Sequence, residues 1–478
     1  MTPHLPLILV YSAVLIGAGL VLSRRVHTAA DFFVAGRRLG PGLVFATLLA
    51  ANIGAGSTVG AAGLGYRDGI AAWWWVGSAG LGSLALAGWV GPRIWRESVR
   101  FDLHTLGDFL DRRYSSVVSG SVAALLWLGT LAILAGQLIA LAWVLNVVAG
   151  TPKFVGCLIG GTVMVSYFVA GGLLTAAWIN LLQLVVLLAG FAVTLPLALG
   201  RVGGLAALYQ RTADIPHYWN AWHGGGSGWM YLALLGPAFI VSPGLVQKVY
   251  GARDERAVRA GVGANAIALL AFAIVPPLLG TIARALHPNL ANHELALPML
   301  LMQDVPVLVG SLGLAALFSA EVSTADAILF MLATSLSRDL YKRFINPGAS
   351  DRQVLLVARG AALAGGVLGV LLAIVSPTVI GALSVFYTLL SVGLFVPVLA
   401  GLYSRRAGTP EAVAAIAAGV ACVIAAHLAP GAVSRTGANA ALVGIIGSAI
   451  AFAIVMVSRR GGRSVSGDKK KARPEREE

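Results

Sequence analysis

The pattern of polar and apolar positions divides the chain into long apolar runs separated by short polar stretches. A helix needs about 20 apolar residues to cross a bilayer. The pattern predicts an all-α polytopic membrane protein with about thirteen transmembrane helices. The runs lie near residues 5–22, 42–66, 70–92, 117–149, 153–171, 174–199, 228–248, 257–286, 307–335, 353–374, 377–402, 409–428 and 438–458.

Two of these runs contain residues that interrupt a helix. The second run carries Gly54 and Gly56 near its middle, and the seventh carries Pro237 and Pro243, each beside a glycine. Proline removes a helical hydrogen bond, and many transporters bind substrate where two helices are broken at matching places of inverted halves. Because the two runs stand an odd number of spans apart, we predict an inverted five-helix repeat. Glycine and proline are, however, also common in intact membrane helices.

The runs define one transmembrane transporter domain over residues 1–458. It consists of an extra first span at 5–22, repeat one at 42–199, repeat two at 228–402 and extra spans at 409–458. The first run is expected to be a retained span, because its arginines follow it, whereas those of a signal peptide precede the apolar stretch. The polar tail at 459–478 is expected to be a disordered cytoplasmic segment.

Composition agrees with lipid as the main solvent. Apolar residues make up 58% of the chain and charged residues only 11%, with a mean hydropathy of +0.84. A soluble protein carries about a quarter charged residues. The expected location is therefore a bacterial-type inner membrane or a plasma membrane.

The net charge of +14 is explained by topology. With the N-terminus outside and the C-terminus inside, the Lys and Arg residues follow the positive-inside rule. The few that then lie outside are Arg67, Lys153, Arg201, Arg211, Arg284 and Arg435. The basic inner face suits anionic lipid. The expected partners are the lipid bilayer and a small-molecule solute. A nucleic acid is not expected as a partner.

The ninth run carries a group of polar side chains, Glu321, Ser323, Thr324 and Asp326. Ionisable groups inside a span are costly and point to function. Two neighbouring hydroxyl groups, with backbone carbonyls from an unwound helix, suit an alkali cation. Asp326 shares the helix face of Ser323, whereas Glu321 does not. The simpler alternative is that each hydroxyl bonds to a carbonyl one turn earlier.

Four stretches along the chain resemble the solute:sodium symporter family. They are DFFVAGR at 31–37, the interrupted second run, GGLLTAAWINLLQ at 171–183, and Ser323-Thr324 followed by DLYK at 339–342. The resemblance covers residues 31–406 and implies a transporter with a LeuT-like architecture. An enzyme is not expected, since a catalytic set such as H-E-x-x-H is absent from the sequence.

The resemblance also implies Na⁺ as the coupling ion. Carried onto this sequence, the family's sodium site uses the backbone carbonyls of Ala50 and Ile53 in the second run. In the ninth run it uses the carbonyl of Ala320 and the hydroxyl groups of Ser323 and Thr324.

A second cation site or path is expected at Asn180 and Asp326. The family often carries an aspartate where this chain has Asn180, and in some members that aspartate joins hydroxyl groups of the ninth span. Asp326 stands at one of those hydroxyl positions, so the hypothesis is that the carboxylate has moved between spans. Alternatively, Asn180 and Gln183 form a polar contact between helices.

The resemblance implies secondary active transport, a sodium-coupled symport of a small organic solute by alternating access. An amino acid or a monocarboxylate is favoured, because sugar-carrying members place a carboxylate in the third span and the run at 70–92 has none. The candidate pocket residues are Asn52, Ser57, Trp73, Phe239, Ser242 and Tyr387. The aromatic ones are alternatively packing residues or gates.

Two other functions are left open by the sequence. One is a proton-coupled symporter of the same fold that uses Asp326 or Glu321. The other, less favoured, is a channel, because paired interruptions favour a gated carrier over a continuous pore. The oligomeric state and the number of coupled ions are also left open.

Overall fold

The computed structural model describes residues 37–429 and 439–470, together with a few positions between 5 and 17. Side chains are not described for 166–182, Ser323, Asp326, 338–339, Asp351 and 460–470. The predicted first span at 5–22 and most of the DFFVAGR segment therefore lie outside the described residues.

The described chain is almost entirely helical. Its first part contains α1 (Pro41–Asn52), a π-helical turn (Gly56–Gly60), α2 (Ala61–Asp68), a 3-10 turn (Gly69–Ala72), α3 (Trp73–Ala85), a second π-helical turn (Leu86–Val90), α4 (Gly91–Arg100), α5 (Leu106–Arg113), α6 (Ser116–Ala149), α7 (Lys153–Val202) and α8 (Leu205–Thr212). A small antiparallel hairpin follows, formed by β1 (His223–Gly224) and β2 (Ser227–Gly228).

The second part is also a succession of helices. It contains α9 (Tyr231–Val241), α10 (Pro243–Tyr250), α11 (Glu255–Phe272), α12 (Val275–Leu286), a 3-10 turn (His293–Leu295), α13 (Ala296–Gln303), α14 (Val307–Thr334), a π-helical segment (Ser335–Ile345), α15 (Asp351–Val375), α16 (Val379–Tyr403), α17 (Thr409–Leu428) and α18 (Ala440–Lys470).

Ten helical segments of the described chain are long and apolar enough to cross a membrane. Helical turns follow one another from Gly56 to Arg100, across the boundary between the predicted second and third runs. Gly69 interrupts this stretch with a φ of 74°, which disfavours a side chain. The count of thirteen spans and the orientation of the termini stay predictions.

The fifth and sixth predicted runs lie in one helical element, α7. A straight helix of 50 residues would measure about 75 Å, more than twice the hydrocarbon core of a bilayer. Near its start, Gly161 packs against Val370 of α15, and near its end Thr194 and Gly313 of α14 line one cavity. The division of this element into two separate passes stays a prediction.

Both interruptions predicted from the sequence are present as breaks in the helical backbone. α1 ends at Asn52, and Ile53 has extended backbone angles of φ −100° and ψ 99°. The second break lies at Ser242, where ψ is 122°, between α9 and α10. Pro237, by contrast, lies inside α9. Pro243 is accommodated because the first turn of α10 needs no donor at that position.

Close helix contacts hold the segment that follows the first break. A Cβ atom added at Gly65 would lie 2.2 Å from Pro277 O, and one added at Gly280 would lie 1.9 Å from Ala62 O. α2 and α12 therefore meet backbone to backbone, as small residues allow in membrane bundles. This crossing fixes the position of the second half of the broken helix.

The last helix extends further than the sequence predicts. Helical backbone continues to Lys470, into the segment from Arg459 for which disorder is expected. Residues 471–478 lie outside the described chain, and the disorder of the tail stays a prediction.

Candidate cation and solute site

The first break brings two predicted sodium ligands together. Thr324 Oγ1 of α14 lies 3.4 Å from the backbone oxygen of Ile53, and both residues are buried. This separation is long for an O–H···O hydrogen bond. Two oxygen ligands at right angles around a hard cation, each at a bond length of about 2.4 Å, would be about 3.4 Å apart. The oxygens present therefore fit a cation between α14 and the break.

The other predicted sodium ligands are placed less completely. Ala50 lies half-buried in the last turn of α1, and Ala320 lies buried one turn before Thr324 on α14. The side chain of Ser323 lies outside the described residues, as do those of Asn180 and Asp326. The second cation site at Asn180 and Asp326 therefore stays a prediction.

Side chains replace the helical hydrogen bonds that the break removes. The N–H of Ala55 donates to Gln137 Oε1 of α6 over 3.0 Å. The N–H of Gly54 donates to Ser57 Oγ over 3.0 Å, and this hydroxyl also lies 3.1 Å from the backbone oxygen of Asn52. A buried N–H without an acceptor is destabilising, so these contacts make the unwound conformation possible.

Gln137 is a functional candidate that the sequence reasoning missed. It is buried and stands in the middle of the long apolar helix α6. An amide in the middle of an apolar run was the available signal, because polar groups inside spans are rare unless they have partners. Its partner could not be foreseen, because Ala55 is distant in the sequence and the contact depends on how α6 packs.

A cavity adjoins the break, with about 470 Å³ of empty space that includes open solvent. Its polar lining is Asn52, Ser57, Gln137 and Thr324, and its aromatic lining is Trp75, Phe239 and Tyr387. Among the residues that the structure describes, the lining includes no charged side chain. The lining thus combines aromatic rings with polar groups at or beside the break.

The aromatic groups form a connected cluster. The rings of Trp75 and Tyr387 lie 6.0 Å apart, and those of Phe239 and Tyr387 lie 5.7 Å apart. Four of the six candidate pocket residues, Asn52, Ser57, Phe239 and Tyr387, are therefore at the cavity.

Two predicted pocket residues are not part of the cavity lining. Trp73 packs edge to face against Trp74 at the start of α3, and Trp75 takes the place at the cavity. Two residues along a helix turn the side chain to another face, so a choice among three adjacent tryptophans depends on the helix rotation. Ser242 lies at the second break, whose neighbours Pro243 and Gly244 line a different cavity.

An amide pair connects the break to α11. Asn52 Nδ2 donates to Asn265 Oδ1 over 3.2 Å, and Asn265 is fully buried. Asn265 is a second residue that sequence reasoning missed, again because its partner lies far away along the chain. Within the described chain, no cluster of three His, Cys, Asp or Glu side chains could hold a metal ion.

A multi-pass helical bundle with two broken helices and a polar cavity beside one break has the architecture of a secondary transporter. The match to a family model confirms this class. The chain belongs to the sodium:solute symporter family, whose model matches residues 32–419. The family and its characterised relatives are transporters and not enzymes.

Similar proteins carry different solutes. The chain is 28% identical to the sodium/pantothenate symporter of Escherichia coli K12, covering 96% of this chain and 97% of the relative. It is 26% identical to a sodium/glucose cotransporter of Vibrio parahaemolyticus, covering 86% and 82%. A solved Na⁺-coupled sialic acid symporter, substrate-bound and outward-open, shares the fold with a TM-score of 0.79 and 18% identity over 95% of this chain and 97% of its own.

Proposed function

We propose that the protein couples the inward movement of Na⁺ to the uptake of a small organic solute by alternating access. The observation that supports this most directly is the approach of Thr324 Oγ1 to the backbone oxygen of Ile53 at the first break. The proposed ion would be held by the backbone oxygens of Ala50, Ile53 and Ala320 and by the hydroxyl groups of Ser323 and Thr324.

The break explains how an ion and a solute would influence each other. Asn52 and Ser57 line the cavity, while Ile53, between them, faces Thr324. A cation that draws Ile53 towards α14 would therefore also set the positions of Asn52 and Ser57. Movement of one Na⁺ down a membrane potential contributes about 2.3 kcal/mol per 100 mV, in addition to its concentration gradient.

The chemistry of the cavity favours a small solute that is neutral, zwitterionic or singly charged. Amide and hydroxyl groups at Asn52, Gln137 and Ser57 can donate to or accept from such a solute, and aromatic rings can cover its apolar part. An amino acid or a monocarboxylate agrees with this lining. The relatives named for glucose and pantothenate show that the family alone does not decide the solute.

The architecture proposed for this activity is the inverted repeat of 42–199 and 228–402, with additional spans before and after it. The N-terminus would lie outside and the C-terminus inside, in a bacterial-type inner membrane or a plasma membrane. The breaks at Ile53 and Ser242 support this arrangement, because each lies within one of the two proposed repeats.

The sodium site can be tested without knowing the solute. Purified full-length protein should unfold at a higher temperature in Na⁺ than in K⁺ or choline, because an ion that binds the folded state alone stabilises it. At ten times the dissociation constant the gain is about 1.4 kcal/mol. The double variant Ser323→Ala/Thr324→Ala should lose this Na⁺-specific rise.

The matched control is Thr130→Ala. Thr130 is also a buried hydroxyl residue, but its Oγ1 donates to Leu126 O in its own helix. This variant should keep the full response to Na⁺. A wild-type protein with equal stability in all three salts would contradict sodium binding. Solute counterflow in proteoliposomes would then separate a carrier, which exchanges solute, from a channel.

A further inference from the structure

Arginines and aromatic rings come together on the outside of the bundle where α4, α11 and α16 meet. The guanidinium carbon of Arg93, on α4, lies 4.4 Å from the centre of the Tyr403 ring at the end of α16. The ring of Trp89 stacks on the same tyrosine with 5.3 Å between the ring centres. Tyr403 Oη also donates to the backbone oxygen of Trp89 over 3.2 Å. These contacts connect the start of α4 to the end of α16.

Two more arginines extend the positive charge from α4 to α11. Arg96 follows Arg93 by three residues and shares its helix face, and the charges of both act on the Tyr403 hydroxyl group. On α11, Glu255 lies 2.9 Å from Arg259 Nη2 and 3.7 Å from Arg96 Nε. One carboxylate therefore stands among three arginines, and an excess of positive charge remains.

This group of side chains is open to the surroundings of the protein. The side chains of Arg96 and Arg259 are 61% and 52% exposed, and Trp89 is 49% exposed. The other carboxylate of α4, Glu97, is half-buried and acts on the buried Tyr250 instead. The arginine cluster is defined by the residues Trp89, Arg93, Arg96, Arg259 and Tyr403.

Apolar side chains continue from the arginine cluster along the outside of the bundle. Leu84 of α3 and Ile267 of α11 are exposed, and Ile267 lies about two turns, about 12 Å, further along its helix than Arg259. Gly88 leaves open space here, because an added Cβ atom would have no neighbour within 4 Å. Arg259 Nη1 donates to the Gly88 oxygen over 3.1 Å. The surface thus changes from basic to apolar within the depth of one lipid leaflet, about 15 Å.

We propose that the arginine cluster binds the headgroup phosphate of an anionic phospholipid, whose acyl chains lie along the apolar surface. Guanidinium groups match the geometry of phosphate oxygens, and the rings of Trp and Tyr lie preferentially at the level of lipid headgroups. A free phosphate ion would use the arginines but not the apolar surface beside them, so the continuation to Leu84 and Ile267 favours a lipid.

This binding site goes beyond the proposed sodium coupling and does not depend on it. In the orientation predicted from the sequence, the arginine cluster lies at the cytoplasmic side. Anionic lipids give that leaflet a negative surface potential, which attracts basic segments close to the membrane.

The first measurement is the lipid affinity of the purified full-length protein in detergent, obtained by native mass spectrometry. Phosphatidylglycerol is compared with phosphatidylcholine that carries the same acyl chains, and the wild type should bind phosphatidylglycerol more tightly. Arg93→Gln/Arg96→Gln should bind phosphatidylglycerol about 25-fold more weakly, which corresponds to about fivefold for each arginine removed. Its affinity for phosphatidylcholine should not change, because that headgroup has no net charge.

The matched control is Arg201→Gln/Arg211→Gln. Both arginines are exposed, and they lie outside the arginine cluster, near the end of α7 and in α8. This variant has the same change in net charge and should keep the wild-type affinity for phosphatidylglycerol. If Arg93→Gln/Arg96→Gln does not fold, each single variant is measured, with an expected loss of about fivefold.

The second measurement separates a lipid from a free anion and needs no variant. The unfolding temperature of the wild type is measured with phosphatidylglycerol, with phosphatidylcholine and with glycerol phosphate, which has no acyl chains. Phosphatidylglycerol should give the largest rise, because a ligand of the folded state stabilises it. This rise should shrink between about 0.1 M and about 1 M salt, since the screening length falls from about 10 Å to about 3 Å.

Three outcomes overturn the proposal. The first is an unchanged phosphatidylglycerol affinity in a folded Arg93→Gln/Arg96→Gln protein, and the second is an equal loss in the control variant. The third is an equal rise in unfolding temperature with glycerol phosphate, which would identify an adventitious anion site. Failure of the sodium function is a separate result, because the response to Na⁺ is measured without added lipid.

Discussion

Single residues hold the unwound backbone around Gly54. The amide of Gln137 accepts from Ala55, and the hydroxyl group of Ser57 accepts from Gly54. These contacts replace hydrogen bonds that a continuous helix would provide for itself. They also place polar side chains at the cavity, so the groups that stabilise the break are the groups available to a solute.

Removal of the amide of Gln137 should destabilise the break. Gln137→Met removes the side-chain oxygen that accepts from the buried N–H of Ala55, with an expected loss of about 1–3 kcal/mol. The unfolding temperature of the purified protein measures this loss, and the Na⁺ response should weaken with it. Gln183→Met is the matched control, since Gln183 is also buried but its Oε1 has no partner in the described chain. An equal loss in both variants would contradict a special role of Gln137.

Sequence reasoning reached part of this residue-level arrangement. Ile53 and Thr324 were expected to meet because a family pattern connects them, and their oxygens do lie 3.4 Å apart. Gln137 and Asn265 were not expected, because a single amide in an apolar run does not reveal its partner. Trp73 was chosen over Trp75 because adjacent tryptophans are equivalent until the rotation of α3 about its axis is known.

Two helices cross at very short distance just after the first break. α2 follows the break and meets α12 at Gly65 and Gly280, with no room for a side chain at either position. Since this contact is made by backbone atoms, it defines the distance between two helices and not merely the conformation of one residue. Any ion-dependent movement of α2 must therefore carry α12 with it or separate the two.

A side chain at this crossing should displace α2. Gly280→Ala would place a Cβ atom 1.9 Å from the backbone oxygen of Ala62, which backbone shifts must relieve at about 1–3 kcal/mol. The unfolding temperature and the Na⁺ affinity should both fall. Gly263→Ala is the control, because its Cβ atom would lie 4.0 Å from the nearest neighbour, Ala87 Cβ. Full Na⁺ affinity in Gly280→Ala would show that the cation site does not depend on this crossing.

Across the whole molecule, a buried glutamate joins helices that are far apart in sequence. Glu294 accepts from Trp143 Nε1 of α6 over 2.9 Å and from the N–H of Val379, at the start of α16, over 2.6 Å. Its turn also packs against Gly63 of α2. Burial raises the pKa of Glu294 to about 7, although the donors at Trp143 and Val379 and the charge of Lys153 oppose the shift.

The raised pKa predicts a pH-dependent stability. The folded state binds the proton of Glu294 more tightly than the unfolded state, whose glutamates have a pKa of about 4.3. Stability from this group is therefore full below about pH 4.3 and is lost as the pH rises towards about 7. Between about pH 5 and about pH 8, Glu294→Gln should gain about 1–3 kcal/mol relative to the wild type.

Thermal unfolding of both proteins across this pH range measures the difference. Trp143→Phe is the companion variant, because it removes one donor but keeps the carboxyl group, so its pH dependence should persist. A constant difference between Glu294→Gln and the wild type at all pH values would contradict the assignment.

The order of apolar and polar residues along the chain is enough to predict the solvent of this protein, its helical class and the two places where helices break. Those features follow from local chemistry: long apolar runs need lipid, and Gly and Pro interrupt helices wherever they cluster. The packing of the folded chain, in contrast, determines which polar groups meet at the first break, which tryptophan reaches the cavity and that Glu321 lies buried beside Thr58. These contacts join residues far apart in the chain, and they depend on the rotation and crossing of packed helices, which local sequence does not specify.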